Sequence, residues 1–305
     1  MKVLIATEKP FAPIAITRMR EVLEGAGVEV VLLEKYKEKE ELLDAVKDVD
    51  GIIIRSDIID EEVMDAAPEL KLVVRAGAGY DNVDLKAASE KGIVVMNTPG
   101  QNANAVAELV FGMLLLMARK NFDGSAGTEL KDKTLGLHAY GNVSRNVARI
   151  AKGFGMKVFA FDPFLSASDI EAEGVTPVAT IEDLYKQCQY VSLHIPATPQ
   201  TIHSINYDLL SYMPKGATLI NTARKEVIDE EGLLKLMSER PDFVYVSDIR
   251  PAKADVFIAD FPDRVFFTPK KMGAQTNEAN INAGIAAARQ SVAFLEQGID
   301  KFRVN

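Results

Sequence analysis

The sequence KTLGLHAYGNVSRNVARIAKGFGMKVFAFD, residues 133–162, contains the clearest structural signal of the chain. Its run Thr134–Ala139 predicts a strand, the pattern of Val143–Gly155 predicts a helix, and Lys157–Phe161 predicts a second strand. A strand, a helix and a second strand in close succession are typical of a βαβ unit, in which the two strands are parallel. We therefore expect a parallel sheet in this part of the chain.

The same alternation of short apolar runs and helical patterns extends over the rest of the sequence. Before this unit, the predicted strands are Lys2–Thr7, Val28–Leu33, Gly51–Arg55, Leu72–Arg75 and Ile93–Met96. After it, they are Tyr190–His194, Ala217–Asn221, Phe243–Asp248 and Val265–Thr268. Short apolar strands between helices are typical of doubly wound parallel sheets. The sequence therefore predicts an α/β protein with two doubly wound parallel-sheet domains, one flavodoxin-like and one Rossmann, and a cleft between them.

Two long helical patterns, Asn104–Arg119 and Thr276–Gln297, flank the second set of strands. No further α/β unit follows residue 297, so we expect the last helix to return to the first domain. The predicted boundaries are residues 1–98 plus 276–305 for a discontinuous first domain, and residues 99–275 for the second.

The composition excludes several classes of function. Of the 305 residues, 48% are hydrophobic and 26% are charged, which is typical of a soluble globular protein. The 35 Lys and Arg residues against 44 Asp and Glu residues give a net charge of −9, which argues against nucleic acid or a membrane surface as partner. The single cysteine, Cys188, excludes a disulfide framework and a Cys-based metal site. We expect a cytoplasmic protein without a bound metal.

The turn between the first strand and helix of residues 133–162 resembles a phosphate-binding turn. Dinucleotide-binding turns have the pattern G-x-G-x-x-G, and here only the middle glycine, Gly141, is present, with Ala139 and Ser144 at the other two positions. The N-terminus of the following helix favours phosphate. Asp162 ends the next strand, where an acid accepts hydrogen bonds from ribose hydroxyls and repels a 2′-phosphate. This pattern predicts NAD as cofactor; the alternative is an ordinary βα turn followed by a strand-end aspartate.

Five cations lie at or shortly after the ends of predicted strands, namely Arg55, Arg75, Arg224, Lys270 and Lys271. Ligands of open α/β sheets bind beyond the carboxyl ends of the strands. A group of cations at these ends of an acidic protein favours a small substrate with several negative charges.

Six segments carry a resemblance to a known family. They are VRAGAGYDNVD (74–84), MNTPGQN (96–102), VAE (106–108), SLHIPAT (192–198), INTAR (220–224) and FTP (267–269). In this order, and over nearly the whole chain, they resemble the D-2-hydroxyacid dehydrogenase family, and within it the short-form D-3-phosphoglycerate dehydrogenases.

This resemblance implies an NAD-dependent dehydrogenase that oxidises 3-phosphoglycerate to 3-phosphohydroxypyruvate at the first step of phosphorylated serine biosynthesis. It also implies a homodimer whose first domain binds substrate and whose second domain binds NAD. One alternative is a reductase of glyoxylate, hydroxypyruvate or another 2-keto acid. Another, of a different class, is a non-catalytic NAD(H)-binding sensor or co-repressor.

The resemblance also implies roles for individual residues. Arg224 would hold the carboxylate and carbonyl of the substrate and act in catalysis. The implied substrate-binding residues are Arg55, Arg75, Ala76, Gly77, Asn102 and Lys270. The implied cofactor-binding residues are Ala78, Gly141, Asn142, Val143, Asp162, His194, Ile195, Pro196, Thr222, Ala223 and Asp248.

The chain departs from the family at the catalytic histidine, which normally follows Thr-Pro. Here Thr268-Pro269 is followed by Lys270 and Lys271. Alignment on the segment that follows the two lysines places Lys271 at the position of the histidine, whereas alignment on Thr-Pro places Lys270 there. The first alignment, and hence Lys271, is favoured. Lys253 stands where the family has its catalytic glutamate. The two changes are consistent, because a glutamate raises the pKa of a histidine, whereas a lysine base needs a lowered pKa.

Overall fold

Twelve strands form two separate sheets in the computed structural model, which describes residues 1–305. The chain divides into unit 1, made of Met1–Asn102 and Gln275–Asn305, and unit 2, made of Ala103–Ala274. Every strand pair in both sheets is parallel, as the predicted βαβ units require.

The N-terminal part of unit 1 alternates regularly between strands and helices. Its elements are β1 (Lys2–Thr7), α1 (Pro13–Gly25), β2 (Glu29–Glu34), α2 (Lys39–Ala45), β3 (Gly51–Ile54), α3 (Glu61–Asp65), β4 (Leu72–Arg75), α4 (Leu85–Glu90) and β5 (Val94–Asn97). The strand order in the sheet is β2-β1-β3-β4-β5, which is that of flavodoxin-like folds. The chain reverses direction of winding between β1 and β3, so a ligand crevice is expected at the loops that follow these two strands.

Unit 2 begins with a long helix and then builds the larger sheet. Its helices are α5 (Ala103–Ala118), α6 (Asn142–Gly153), α7 (Ala167–Glu171), α8 (Ile181–Gln187), α9 (Tyr207–Ser211), α10 (Glu230–Glu239) and α11 (Ala254–Asp260). Its strands are β6 (Thr134–His138), β7 (Lys157–Phe161), β8 (Thr176–Pro177), β9 (Tyr190–Leu193), β10 (Thr218–Asn221), β11 (Val244–Ser247) and β12 (Val265–Phe267). Short 3₁₀ turns lie at Lys120–Phe122 and Lys225–Val227.

The strand order of unit 2 is β12-β11-β10-β9-β6-β7-β8. Counted from β6, this is the Rossmann order with one strand added at an edge, and its switch point lies between β6 and β9. The strands β9 and β10 are buried at every residue, because helices cover both faces of the sheet. The two sheets confirm the predicted fold class of doubly wound parallel-sheet domains.

The last helix, α12 (Asn277–Gln297), packs in unit 1. Its buried residues Ala283, Ala287 and Ala288 belong to the same apolar cluster as three buried residues of α1. These are Ala15, Met19 and Leu23. A Cβ atom at Gly284 would lie 2.7 Å from the Met19 sulfur, so glycine permits the close approach of α12 and α1. No helix of the structure has the length and apolar character needed to cross a membrane.

Candidate active site

The turn after β6 leads directly into α6 and leaves an open space above its glycine. Gly141 is the N-cap of α6, and a Cβ atom built on it would have no neighbour within 4 Å. The backbone N–H groups of Asn142 and Val143 lie in the first turn, where a helix has no internal acceptors for them. The turn can therefore accept a pyrophosphate, as its sequence predicts.

Asp162 is joined to this turn by hydrogen bonds. Its Oδ2 atom accepts a bond from the backbone N–H of Tyr140 at 2.8 Å, and its Oδ1 atom accepts one from that of Phe164 at 2.9 Å. Each carboxylate oxygen can accept a second bond. The half-buried carboxylate is thus held beside the turn and can accept further hydrogen bonds.

His194 lies at the switch point of the unit 2 sheet. Its backbone N–H donates to the carbonyl of His138 at 3.0 Å, which brings the ends of β9 and β6 together. The His194 Nε2 atom is buried without a hydrogen-bond partner, and burial together with the nearby His138 lowers the pKa of His194 to about 3. The imidazole is therefore neutral at physiological pH. Its unpartnered nitrogen suits a hydrogen bond to an uncharged group of a cofactor.

The residues after His194 differ in exposure. Ile195 is buried, whereas Pro196 is exposed. Both follow the end of β9, on the same sheet edge as the turn between β6 and α6.

The segment after β10 is shaped by Asn221, which is fully buried. The Asn221 side chain accepts a bond from the N–H of Ala223 and donates one to the carbonyl of Arg224, both at 2.9 Å. The Thr222 hydroxyl is buried without a partner, and the Arg224 guanidinium donates to the Ala223 carbonyl at 2.9 Å. Asn221 therefore folds the segment so that Thr222 offers an unused polar atom and Arg224 is half-buried beside it.

Asp248 anchors the loop that carries the two lysines. This carboxylate is 1% exposed and accepts bonds from the N–H of Met272 at 2.7 Å, the N–H of Gly273 at 2.8 Å and the hydroxyl of Thr268 at 3.0 Å. A Cβ atom at Gly273 would approach Asp248 Oδ2 to 3.0 Å, so the close contact favours glycine. This anchoring role is additional to the cofactor contact that the family resemblance implies for Asp248.

Lys270 and Lys271 are both exposed on this loop. Lys271 directly precedes the two residues whose N–H groups bind Asp248, while Lys270 is one residue further away. Lys253, at the position of the family's glutamate, is paired with Glu231 and donates its backbone N–H to Glu230 at 2.7 Å.

Arg55 in unit 1 is oriented by several oxygen atoms. Its Nη1 donates to the carbonyls of Lys9 and Pro10 at 3.0 Å and 3.1 Å, and its Nη2 donates to the Asn280 side chain at 2.7 Å. The guanidinium also stacks over the Phe11 ring at 5.3 Å from its centre. These three bonds use three of the five N–H donors of the guanidinium and leave two, one on Nε and one on Nη2, for a ligand.

Arg75 is the second predicted site cation in unit 1, and it has few partners. Its Nε atom is buried without a hydrogen-bond partner, and Nη1 makes one long bond of 3.4 Å to the carbonyl of Ala76. Burial and the positive charge of Arg55 both lower the pKa of Arg75. A Cβ atom at Gly77 would lie 1.4 Å from Arg75 Nη1, so only glycine leaves room for the guanidinium.

The rest of the Arg75 turn is held by backbone contacts. The N–H of Ala76 donates to the carbonyl of Ile54 at 2.8 Å, and the Asn97 side chain donates to the carbonyl of Ala78 at 2.7 Å. Asn102 is half-buried at the end of this part of unit 1.

The sequence-predicted residues therefore form two groups. Arg55, Arg75, Ala76, Gly77, Ala78 and Asn102 lie in unit 1, and all the others lie at the carboxyl edge of the unit 2 sheet or in its loops. Three buried residues that shape these loops were not predicted as site residues, namely Asp57, Asn97 and Asn221. Their one sequence signal is a short polar side chain at or just after the end of an apolar strand.

Comparison with known proteins gives one family. Residues 3–305 match the model of the D-isomer specific 2-hydroxyacid dehydrogenase catalytic domain. A D-3-phosphoglycerate dehydrogenase of Methanocaldococcus jannaschii is 37% identical over 274 residues, covering 83% of this chain and 51% of that protein. A hydroxypyruvate reductase of Thermotoga maritima is 36% identical over 296 residues, covering 89% of this chain and 92% of that protein.

A solved structure is also similar over the full length. The NAD⁺-bound 3-phosphoglycerate dehydrogenase of Entamoeba histolytica is 50% identical, with a TM-score of 0.87, and the match covers 100% of this chain and 98% of that one. The chain spans about half the length of several curated phosphoglycerate dehydrogenases that it matches.

Proposed function

The chain belongs to the D-isomer specific 2-hydroxyacid dehydrogenases, and from this membership we propose that it oxidises 3-phosphoglycerate to 3-phosphohydroxypyruvate with NAD. The identity of 50% to the structure from Entamoeba histolytica supports this activity over that of the more distant family members. The reaction supplies the first intermediate of phosphorylated serine biosynthesis. We also propose that unit 1 binds the substrate, that unit 2 binds NAD, and that the protein is a cytoplasmic homodimer.

The pair Arg55 and Arg75 is the observation that favours a phosphorylated substrate. Two guanidiniums are held near enough for the charge of Arg55 to lower the pKa of Arg75, although like charges repel. Arg75 keeps a buried Nε–H without an acceptor, which is unfavourable unless a ligand supplies one. A phosphorylated carboxylate offers several anionic oxygens to such a pair, whereas lactate offers only its carboxylate.

The residues of unit 2 fit NAD. Gly141 and the first turn of α6 would hold the pyrophosphate, Asp162 the ribose hydroxyls, and the unpartnered atoms of His194 and Thr222 further polar groups. With NAD bound, these residues would hold the acceptor for the hydride of the substrate's C2 atom. The neutral His194 suits this site, because a buried cation there would lack a counter-charge.

Two side chains would act directly on the substrate. The Arg224 guanidinium would bind the carboxylate and polarise the oxygen at C2, and Lys271, as an uncharged amine, would take the proton of the C2 hydroxyl. The loop of Lys271 is anchored by Asp248, which limits the positions of its side chain. Lys270 is the alternative proton acceptor, since it is the other lysine of the same loop.

An assay of NADH formation with 3-phosphoglycerate, D-glycerate and D-lactate tests this function. We expect kcat/KM for 3-phosphoglycerate to exceed that for the other two by about a hundredfold, the effect of one or two charged hydrogen bonds. The match to the hydroxypyruvate reductase, which covers 92% of that protein, makes hydroxypyruvate reduction the second candidate. A preference for hydroxypyruvate with NADH would support that candidate. Tight NADH binding without turnover of any of these acids would instead indicate a non-catalytic sensor.

A further inference from the structure

One buried carboxylate, Asp57, connects three loops at the carboxyl ends of strands in unit 1. It is 2% exposed. Its Oδ1 atom accepts bonds from the N–H of Glu8 at 2.7 Å and from the hydroxyl of Tyr36 at 2.9 Å, and its Oδ2 atom accepts one from the N–H of Arg55 at 3.0 Å. These three partners follow β1, β2 and β3, which are neighbours in the sheet. A single side chain therefore holds the loops of three adjacent strands together.

These bonds hold Arg55 at both ends. Asp57 binds its backbone N–H, and the Asn82 side chain donates to the carbonyls of Arg55 and Asp57 at 3.3 Å and 2.6 Å. The guanidinium donates to the carbonyls of Lys9–Pro10, in the loop after β1 that Asp57 also binds. Asp57 therefore sets the position of the Arg55 backbone relative to the loop that receives its guanidinium.

The charge of Asp57 acts on both arginines. It raises the pKa of Arg55 and of Arg75 against the effect of their burial. Asp57 thus offsets part of the repulsion between two guanidiniums that face the same region. Its own three hydrogen bonds give this almost fully buried side chain the polar partners that burial requires.

We propose that Asp57 is a positioning residue that orients Arg55 toward the phosphate of the substrate and thereby sets the preference for phosphorylated over unphosphorylated 2-hydroxy acids. This inference rests on the proposed function, because it assigns Arg55 to a phosphate. Arg55 and Arg75 touch the ligand, whereas Asp57, with both oxygens occupied by protein donors, acts through Arg55.

The variant Asp57→Asn tests the proposal, because the side chain keeps its size but loses its charge and has one acceptor oxygen for three donors. We expect the KM for 3-phosphoglycerate to rise about tenfold to a hundredfold, as for the loss of charged hydrogen bonds, with kcat within about twofold of the original value. The affinity for D-glycerate, measured as substrate or as competitive inhibitor, and the Kd for NADH should stay unchanged. A general structural defect would weaken all three instead.

Tyr36→Phe is the second variant, since it removes one hydrogen bond and keeps the Asp57 charge. It should raise the KM for 3-phosphoglycerate by a smaller factor of about threefold, typical of one neutral donor. Asp44→Asn, which changes an exposed carboxylate of the same unit that pairs with Lys47, is the matched control and should have no effect.

The outcomes separate this inference from the proposed function. If the unaltered protein does not oxidise 3-phosphoglycerate, the proposed function is wrong and the inference falls with it. If that activity is present but folded Asp57→Asn keeps the original affinity ratio of 3-phosphoglycerate to D-glycerate, the inference alone is wrong. If Asp57→Asn does not fold, an unchanged ratio in Tyr36→Phe overturns the inference in the same way.

Discussion

The hydroxyl of Ser144 donates a 2.6 Å hydrogen bond to the carbonyl oxygen of Ala139. Ala139 begins the turn between β6 and α6 with a left-handed φ of 74°, and Ser144 is fully buried in the first turn of α6. Dinucleotide-binding turns have glycine at both positions, one for the tight turn and one for close packing. In this chain a serine–carbonyl bond closes the same turn from inside, although both glycines are absent.

We expect Ala139→Gly to stabilise the protein by about 1 kcal/mol, because a left-handed conformation is unfavourable for every residue with a Cβ atom. Thermal or urea unfolding measures the change. Ala148→Gly, at a buried position inside α6, is the control and should destabilise by about 1 kcal/mol or more, since glycine weakens a helix. A lower stability of Ala139→Gly would show that the turn carries no such strain.

Asp162 should make the protein specific for NADH over NADPH, because its carboxylate beside the turn would repel a 2′-phosphate. Asp162→Asn should reduce the ratio of the Kd for NADPH to the Kd for NADH by about tenfold or more, which is the usual effect of one charged contact. Titration followed by cofactor fluorescence measures both constants. Asp263→Asn, at an exposed carboxylate of unit 2, serves as control. Equal affinities of the unaltered protein for NADH and NADPH would contradict the role of Asp162.

Lys271→Ala should lower kcat by about 10²- to 10⁴-fold, the range for a positioned acid–base group, with little change in NADH binding. Lys270→Ala should have a much smaller effect, and Lys271→His should not restore full activity because Lys253 stands where the glutamate would be. The oxidation rate should keep rising above neutral pH, since the base must be an uncharged amine. The reverse ranking of the two alanine variants would identify Lys270 as the base. Full activity of both would exclude a lysine base.

The stability of the protein should fall between about pH 6.5 and pH 4 in part because of His138, whose pKa is lowered by burial to about 4. A histidine whose pKa is lower in the folded state than in the unfolded state stabilises the folded protein at pH values above the unfolded-state pKa. This contribution is lost as the pH falls toward the folded-state pKa. At pH 5 the loss amounts to about 2 kcal/mol for His138.

His138→Gln should remove this part of the pH dependence, which urea unfolding at pH 7.5 and pH 5 would measure. His203→Gln is the control, because His203 is exposed. An identical pH dependence of His138→Gln and the unaltered protein would contradict the prediction.

Gly77→Ala should raise the KM for 3-phosphoglycerate by at least about tenfold, because the new Cβ would displace the Arg75 guanidinium from its site. NADH binding should not change, since Gly77 lies in unit 1. Gly92→Ala is the matched control, as Gly92 also has a positive φ but no neighbour near its Cβ position. Steady-state kinetics would measure the KM for 3-phosphoglycerate of both variants. Equal KM values of Gly77→Ala and Gly92→Ala would exclude a role of Gly77 in placing Arg75.

Most of the sheet could be predicted, because buried parallel strands are continuous apolar runs. The strands Lys2–Thr7, Leu72–Arg75 and Lys157–Phe161 have the predicted bounds. The edge strand Thr176–Pro177 was missed, since its two residues form no apolar run. Val94–Asn97 begins and ends one residue later than predicted, because the ladder with its neighbour, and not the apolar pattern, sets its ends.

The sequence by itself determined the fold class, the position of the glycine-containing turn between β6 and α6, and the cations at the ends of the strands. These depend on residues close together in the chain, where periodicity and turn chemistry are local. Only the tertiary structure decided which groups meet Asp57, which binds the loops of three strands, and Asp248, which binds Gly273 far along the chain. Parallel strands are joined by crossover helices, so the loops at one sheet edge come from distant residues. No local sequence pattern predicts such contacts, because they form only when the sheet is complete.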